Sequence, residues 1–282
     1  MSKTVLIADC GGSKGDWRLL LPDGHIEQYE TEGINPYYQN KIEIVQRISQ
    51  GLQGVRADQI QYYGAGCGRQ ERCDLIRESL LELWPQAVIE VHSDVLGSAR
   101  ASCGKEPGIA CILGTGSNAC FFDGQAIMGQ APSLGFWLGD EGSGGHLGKL
   151  LLSSYLNGSM PEDLAKAFSK RYPGDLSYWL DLIYQKEKSP NASIAALAKF
   201  AFDHKNQAYI SSLIMESFLS FLDIYVAPLM KNHGPLPVHF TGSIAFYYNS
   251  FVQSALEQRG WAMGRVLEKP IAGLSLYHSF EP

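Results

Sequence analysis

Several features are missing from this 282-residue chain, and each absence removes a class of protein. Its six cysteines include no C-x-x-C pair, and no two of its seven histidines lie four residues apart. Zinc ribbons and zincin-type helices are therefore disfavoured, and the thiols read as small hydrophobes in a reducing compartment. Positive charge is scarce: 23 Lys and Arg against 29 Asp and Glu leave a formal net charge of −6. Sequence-independent nucleic-acid binding needs a basic face, so no nucleic-acid partner is expected. No apolar run approaches the roughly 20 residues of a membrane span, and the start of the chain lacks the apolar region and cleavage site of a signal peptide. The expectation is a cytoplasmic protein with no membrane partner. Phosphate motifs of the commonest kinds are also absent. No G-x-x-x-x-G-K-[ST] string occurs, and the loose G-x-G-x-x-A match at Gly114 to Ala119 leads into a strand where a dinucleotide site needs a helix.

Glycine is what the chain has in excess: 30 residues, clustered behind short apolar runs. That pattern sets sharp turns at strand ends and leaves backbone amides free for a ligand. Residues 4–8 read as a buried strand, 16–20 as its hairpin partner and 25–31 as a third strand. Apolar residues at helical spacing mark helices over 41–52 and 72–84, with strands at 59–63 and 87–91. This order predicts a mixed sheet with helices on its faces. From residue 109 the pattern restarts: apolar strand, glycine turn, return strand, and Asp123-Gly124 where the first copy has Asp23-Gly24. The two stretches read as one device used twice. Residues 145–232 read as mostly helical, ending in a helix over about 206–230 that is apolar nearly all round and so expected to be buried. A strand at 238–241, a helix at 249–259 and a short helix from Pro270 follow.

Six strings could carry chemistry, and taken singly each also has a plain structural explanation as a turn or a cap. Asp9-Cys10-Gly11-Gly12-Ser13-Lys14 delivers an acid, two glycines, a hydroxyl and an ammonium at a strand end. Amides there can cradle phosphate, Lys14 can neutralise it, and Asp9 can hold a magnesium ion through water. Gly114-Thr115-Gly116-Ser117-Asn118 offers close backbone approach and donors for phosphate or sugar hydroxyls. Gly139-Asp140-Glu141-Gly142-Ser143 sets adjacent carboxylates between glycines, suited to vicinal sugar hydroxyls. Asp94, after the strand at 87–91, can accept a proton from an attacking hydroxyl or cap the following helix. Thr241-Gly242-Ser243-Ile244-Ala245 allows a flat ring to lie on backbone, and Asn35 before Pro36 is turn chemistry or a sugar ligand.

In order and spacing these strings resemble the actin-like ATPase and sugar-kinase superfamily over nearly the whole chain. Residues 9–14 match its first phosphate motif, 113–118 the second, 241–245 the adenosine motif, 61–66 the first connecting motif, and 270–274 the start of the closing helix. The turns at 114–118 and 139–143, and Asp94 with Gly97-Ser98-Ala99, are most similar to the N-acetylglucosamine kinase branch of the BadF/BadG/BcrA/BcrD ATPase family. The resemblance implies an α/β, two-lobed actin-like (ribonuclease H-like) fold, each lobe a mixed sheet flanked by helices, with ATP and sugar in the cleft between. It implies a first lobe of residues 1–107 plus about 270–282 and a second of 108–269. Asp94 would be the base toward the sugar 6-hydroxyl. Asn35, Thr115, Gly116, Asn118, Asp140 and Glu141 would line the amino-sugar pocket. Gly11, Gly12, Ser13, Lys14 and Gly114 would contact ATP phosphates, with Asp9 near Mg2+, and Gly242, Ser243 and Ala245 would lie by the nucleoside. Phosphoryl transfer must exclude water, so substrate-induced closure of the lobes is expected. A homodimer is the default expectation. The competing functions are an ATPase activator of a 2-hydroxyacyl-CoA dehydratase, which would need cysteines for an iron–sulfur cluster, and a sugar-sensing regulator.

Overall fold

Three antiparallel strands open the chain in the computed structural model, which describes residues 3–12, 14–184 and 190–279. β1 (Val5–Cys10), β2 (Lys14–Leu20) and β3 (Ile26–Glu32) form a meander. Then come α1 (Lys41–Gly51), β4 (Gln59–Gly64), α2 (Gln70–Leu83), β5 (Val88–Ser93) and α3 (Asp94–Cys103). α1 starts where Asn40 and Glu43 cap each other's backbone N–H groups, which satisfies two otherwise unpaired donors. β4 pairs parallel with β1, and β5 parallel with β4, giving the order β3-β2-β1-β4-β5. Successive side chains of a strand point to opposite faces. Leu6, Ala8 and Cys10 pack into one core with Ile44 and Ile48 of α1 and Ile76 and Leu80 of α2. Asp9 therefore falls on the other face, where α3 and the last helix of the chain pack.

The second sheet repeats the plan. β6 (Gly108–Leu113), β7 (Ser117–Phe122) and β8 (Ile127–Gln130) come first. A helical stretch follows: α4 (Gly135–Leu138), α5 (Gly144–Leu156), α6 (Glu162–Arg171), α7 (Leu176–Tyr184), α8 (Asn191–Ala195), α9 (Ala198–Asp203), α10 (Ala208–Phe221) and α11 (Ala227–His233). β9 (Val238–Thr241), α12 (Ser243–Tyr247), α13 (Asn249–Arg259), β10 (Met263–Leu267) and α14 (Pro270–Ser279) complete the chain. The order β8-β7-β6-β9-β10 is that of the first sheet, with β7 antiparallel to β6 and β9 and β10 parallel. The restart read from sequence is thus a repeat of topology.

Two compact units result. One holds the residues up to Glu106, Asp123–Ile127 and those from Lys269 onward; the other holds Pro107–Phe122 and Met128–Glu268. Each has its own apolar core.

The structure adds three features. β8 and β10 were not read from the sequence, because both are short, half-exposed edge strands containing a glycine and carry a weak periodic signal. The helix expected over about 206–230 is interrupted by a π-helical turn at Leu222–Val226. The stretch Ala208–His233 is also long and apolar enough, by length and composition, to cross a membrane, contrary to the reading that no run approaches a span. Ile210, Ile214, Phe218, Phe221 and Val226 on it are buried in the second core, as a core helix requires.

Candidate active site

In the first unit β1, β4 and β5 run in one direction, so their carboxyl ends meet at one edge of the sheet. Ligands of such sheets bind at the carboxyl ends of the strands. Asp9 stands there, opposite Asp16 of β2 and Tyr63 of β4 in register. Burial lifts the Asp9 carboxyl to about 7; the charges of Asp94 and Asp16 push the same way, and only Lys269 opposes them. Lys269 donates to Asp16 at 3.0 Å. Asp94 begins α3, and burial raises it to about 6 against the Val95 N–H, which donates to its Oδ1 at 2.9 Å. The cap of α3 is Ser93, whose Oγ accepts the Leu96 N–H at 3.3 Å. Asp94 is therefore not spent on capping.

The loops beside these carboxyls are tied to one another. The Gly11 carbonyl accepts the Ile34 N–H at 3.1 Å, and Gly11 donates to the Lys14 carbonyl at 3.0 Å. Gly11 and Gly12 are exposed, and a side chain on Gly12 would meet nothing within 4 Å. Ser13 lies outside the described residues. Lys14 is paired with Glu30 of β3 and is 3.9 Å from Asp16, so its ammonium is held by carboxylates of its own sheet. Asn35 Oδ1 accepts the Tyr37 N–H at 3.0 Å, which is turn chemistry, and the residue packs beside Gly66 just after β4. The structure thus brings Asp9, Gly11, Asn35 and Asp94 to one sheet edge.

In the second unit the β6–β7 turn is bound to the start of α5: Gly144 donates to the Gly114 carbonyl at 2.8 Å and Gly145 to the Thr115 carbonyl at 3.0 Å. Gly242, after β9, has φ 108°, and a Cβ there would lie 2.3 Å from the Leu113 carbonyl oxygen. Only glycine permits that approach in that conformation. Asp140 is buried, with a φ of 63°, and its Oδ1 accepts the Ser117 N–H at 3.3 Å. Burial pushes its carboxyl up, and the Ser117 N–H and Lys149 pull it down. Glu141 accepts from the Tyr225 hydroxyl at 2.8 Å. Thr115 and Ser243 are exposed, and Asn118 is half-exposed with its Oδ1 accepting its own Ala119 N–H. Ala245 is fully buried, so it supports the turn from behind and presents no surface of its own.

Ser117, read from the sequence as a donor of the second glycine turn, is joined here by two participants the sequence did not show, Tyr225 and Ser217. Ser117 has a buried hydroxyl with no hydrogen-bond partner, beside Asp140. Buried polar atoms are normally paired, so an unpaired one in a glycine turn points to a ligand. Tyr225 and Ser217 reach the acidic turn from α10 and the π turn, far along the chain. The two glycines flanking the acids were their local trace.

Among the described residues no three His, Cys, Asp or Glu side chains group closely enough to hold a metal ion by themselves. Magnesium needs no such cage: one or two carboxylates and substrate phosphates suffice. Asp9, an oxygen donor crowded by two like charges, suits a hard cation.

Two repeats of one five-stranded mixed sheet, with glycine turns at the strand ends, define the actin-like ATPase and sugar-kinase fold. A candidate N-acetylglucosamine kinase from Porphyromonas gingivalis is 40% identical, with a TM-score of 0.87 over 97% of this chain and 98% of that one. A second, from Chromobacterium violaceum, is 19% identical with a TM-score of 0.74 over 98% of both chains. A candidate sugar kinase from Cytophaga hutchinsonii is 17% identical with a TM-score of 0.51, also over 98% of both. No family model and no curated protein matches the chain. The 40% identity over nearly the whole of both chains places this protein in a family of sugar kinases, and the more distant neighbours share its fold. The chain belongs to the N-acetylglucosamine kinase branch of the superfamily, in agreement with the BadF-type resemblance read from its motifs.

Proposed function

We propose that the protein transfers the γ-phosphoryl group of ATP to the 6-hydroxyl of N-acetylglucosamine. Asp94 carries the reading: a carboxyl raised to about 6 at a strand end is ionised at neutral pH yet basic enough to take a proton. As the sugar oxygen attacks the γ-phosphorus, its proton passes to Asp94. The bond from that phosphorus to the bridging oxygen breaks, and ADP leaves with the electron pair. Asn35, Thr115, Gly116, Asn118, Asp140 and Glu141 are the proposed ligands of the sugar, whose positioning is what the transfer requires. Gly11, Gly12, Ser13 and Gly114 take the phosphates, Lys14 joining them only by leaving Glu30, and Gly242 and Ser243 form the nucleoside end with the buried Ala245 behind their turn. Asp9 would hold Mg2+, which when bound neutralises charge on the phosphates. Positioning and charge compensation are most of what a phosphoryl-transfer enzyme must supply.

Support for the amino sugar comes from the name of the Porphyromonas gingivalis relative. The dehydratase-activator reading gains nothing from the cysteines, all of which are buried, with no metal-holding group among the described residues. The test is coupled ADP release with purified protein, ATP and magnesium over N-acetylglucosamine, glucosamine, N-acetylmannosamine and glucose. The expected kcat/KM for N-acetylglucosamine exceeds the others by about tenfold or more, the scale of discrimination by one small group in a pocket. Equal rates for all four, or no sugar-dependent ADP release, would overturn the assignment.

A further inference from the structure

One helical segment holds the acidic turn between α4 and α5 through two side chains. Ser217 Oγ accepts the Gly142 N–H at 3.2 Å and lies 2.8 Å from Nδ1 of His146. The Tyr225 hydroxyl accepts the Asp140 N–H at 3.2 Å and donates to Oε2 of Glu141 at 2.8 Å. In a regular α-helix two residues eight positions apart point about 80° away from each other. The π turn at Leu222–Val226 takes up one extra residue, which returns Tyr225 to within about 20° of the direction of Ser217. The irregularity is what lets both reach one turn.

The turn is built for that approach. A Cβ on Gly139 would lie 2.7 Å from the Tyr225 hydroxyl, and one on Gly142 would lie 2.7 Å from Cβ of Phe221. Between these glycines, Asp140 is the one non-glycine residue with positive φ among the described residues. Such backbone is strained and persists only where its surroundings over-determine it. The bond from the Asp140 N–H to Tyr225 is part of that determination.

We infer that Tyr225 is a positioning residue for the sugar pocket, its one hydroxyl fixing the Asp140 backbone and the Glu141 carboxylate relative to each other. The inference rests on the proposed sugar-binding role of these two acids. A phenol has one proton to give, so it occupies one oxygen of Glu141 and leaves the other for a sugar hydroxyl. Burial pushes the phenol up to about 12, which keeps it a donor at any working pH.

The test is Tyr225→Phe, which keeps the ring and its stacking on Phe221. KM for the preferred sugar is expected to rise about tenfold, the size of effect from one lost hydrogen bond to a charged group. KM for ATP stays near wild type, and the melting temperature falls by only a few degrees, the cost of about one unpaired buried N–H. Asp140→Asn and Glu141→Gln are measured beside it. If Asp140→Asn leaves sugar KM unchanged, the sugar-pocket reading itself is wrong. If Asp140→Asn raises sugar KM and Tyr225→Phe does not, the pocket stands and the positioning role falls. The double variant Tyr225→Phe/Glu141→Gln should be less than additive in sugar KM; full additivity would overturn the inference. A Tyr225→Phe protein that does not fold would overturn it too, since the hydroxyl would then be structural.

Discussion

Asp9 and Asp94 are raised for the same first reason, burial at the end of a packed strand, but with different consequences. Asp94 must be ionised to accept a proton, so kcat/KM should fall as pH drops through about 6. A pH–rate profile flat from pH 5 to 8 would argue against this base. Asp94→Asn should lose about 10²–10⁴-fold in turnover, the usual worth of general-base catalysis, while calorimetry gives a near-normal sugar Kd. Asp9 bears on stability. Its folded carboxyl keeps a proton up to about 7, against 3.8 for the free group. The folded state therefore binds more protons between those values, and this contribution is full below about pH 4 and lost as pH rises through 7. Asp9→Asn should raise the melting temperature at pH 8, have little effect at pH 4, and impair phosphoryl transfer. An equal shift at both pH values would contradict the burial argument.

Among the elements, strand-end turns carry the strictest backbone demands. Gly242 combines φ 108° with a Cβ position 2.3 Å from the Leu113 carbonyl oxygen. Gly242→Ala should cost several kcal/mol, on the order of 2–4, from backbone strain and a clash with main chain that cannot move aside. Gly12→Ala has open space and an unstrained φ. Its melting temperature should stay near wild type, as for surface substitutions within about 0.5 kcal/mol. Thermal unfolding of the pair checks the contrast. The π turn shows the same principle in a helix: a departure from regular geometry persists because neighbouring groups use it.

Across the whole molecule, one sheet plan occurs twice, and each copy buries its own core. Each supplies a glycine turn after its first strand, and the acids are shared out: Asp9 and Asp94 in one unit, Asp140 and Glu141 in the other. A ligand that binds only the folded protein stabilises it, by about 2.7 kcal/mol at a hundredfold excess over Kd. The preferred sugar should therefore raise the melting temperature in a thermal-shift titration. No shift at saturating N-acetylglucosamine would redirect the search to another sugar.

The sequence by itself determined the strand–glycine turn–strand device, its repetition, and the stations of Asp9 and Asp94 at strand ends and of Asp140 in a glycine-flanked turn, because alternation, helical spacing and glycine clusters are written within a few neighbouring residues. It also located α13 and β9 at their observed bounds. Only the tertiary structure decided that Lys269 meets Asp16 across 253 positions and that Tyr225 meets Glu141 across 84. It also decided that Lys14 turns to Glu30, that Ser93 rather than Asp94 caps α3, and that β8 and β10 close the edges of the second sheet. Local pattern fixes which face a side chain takes, but the atom it meets depends on register and packing between distant segments, and no short window of sequence contains both partners.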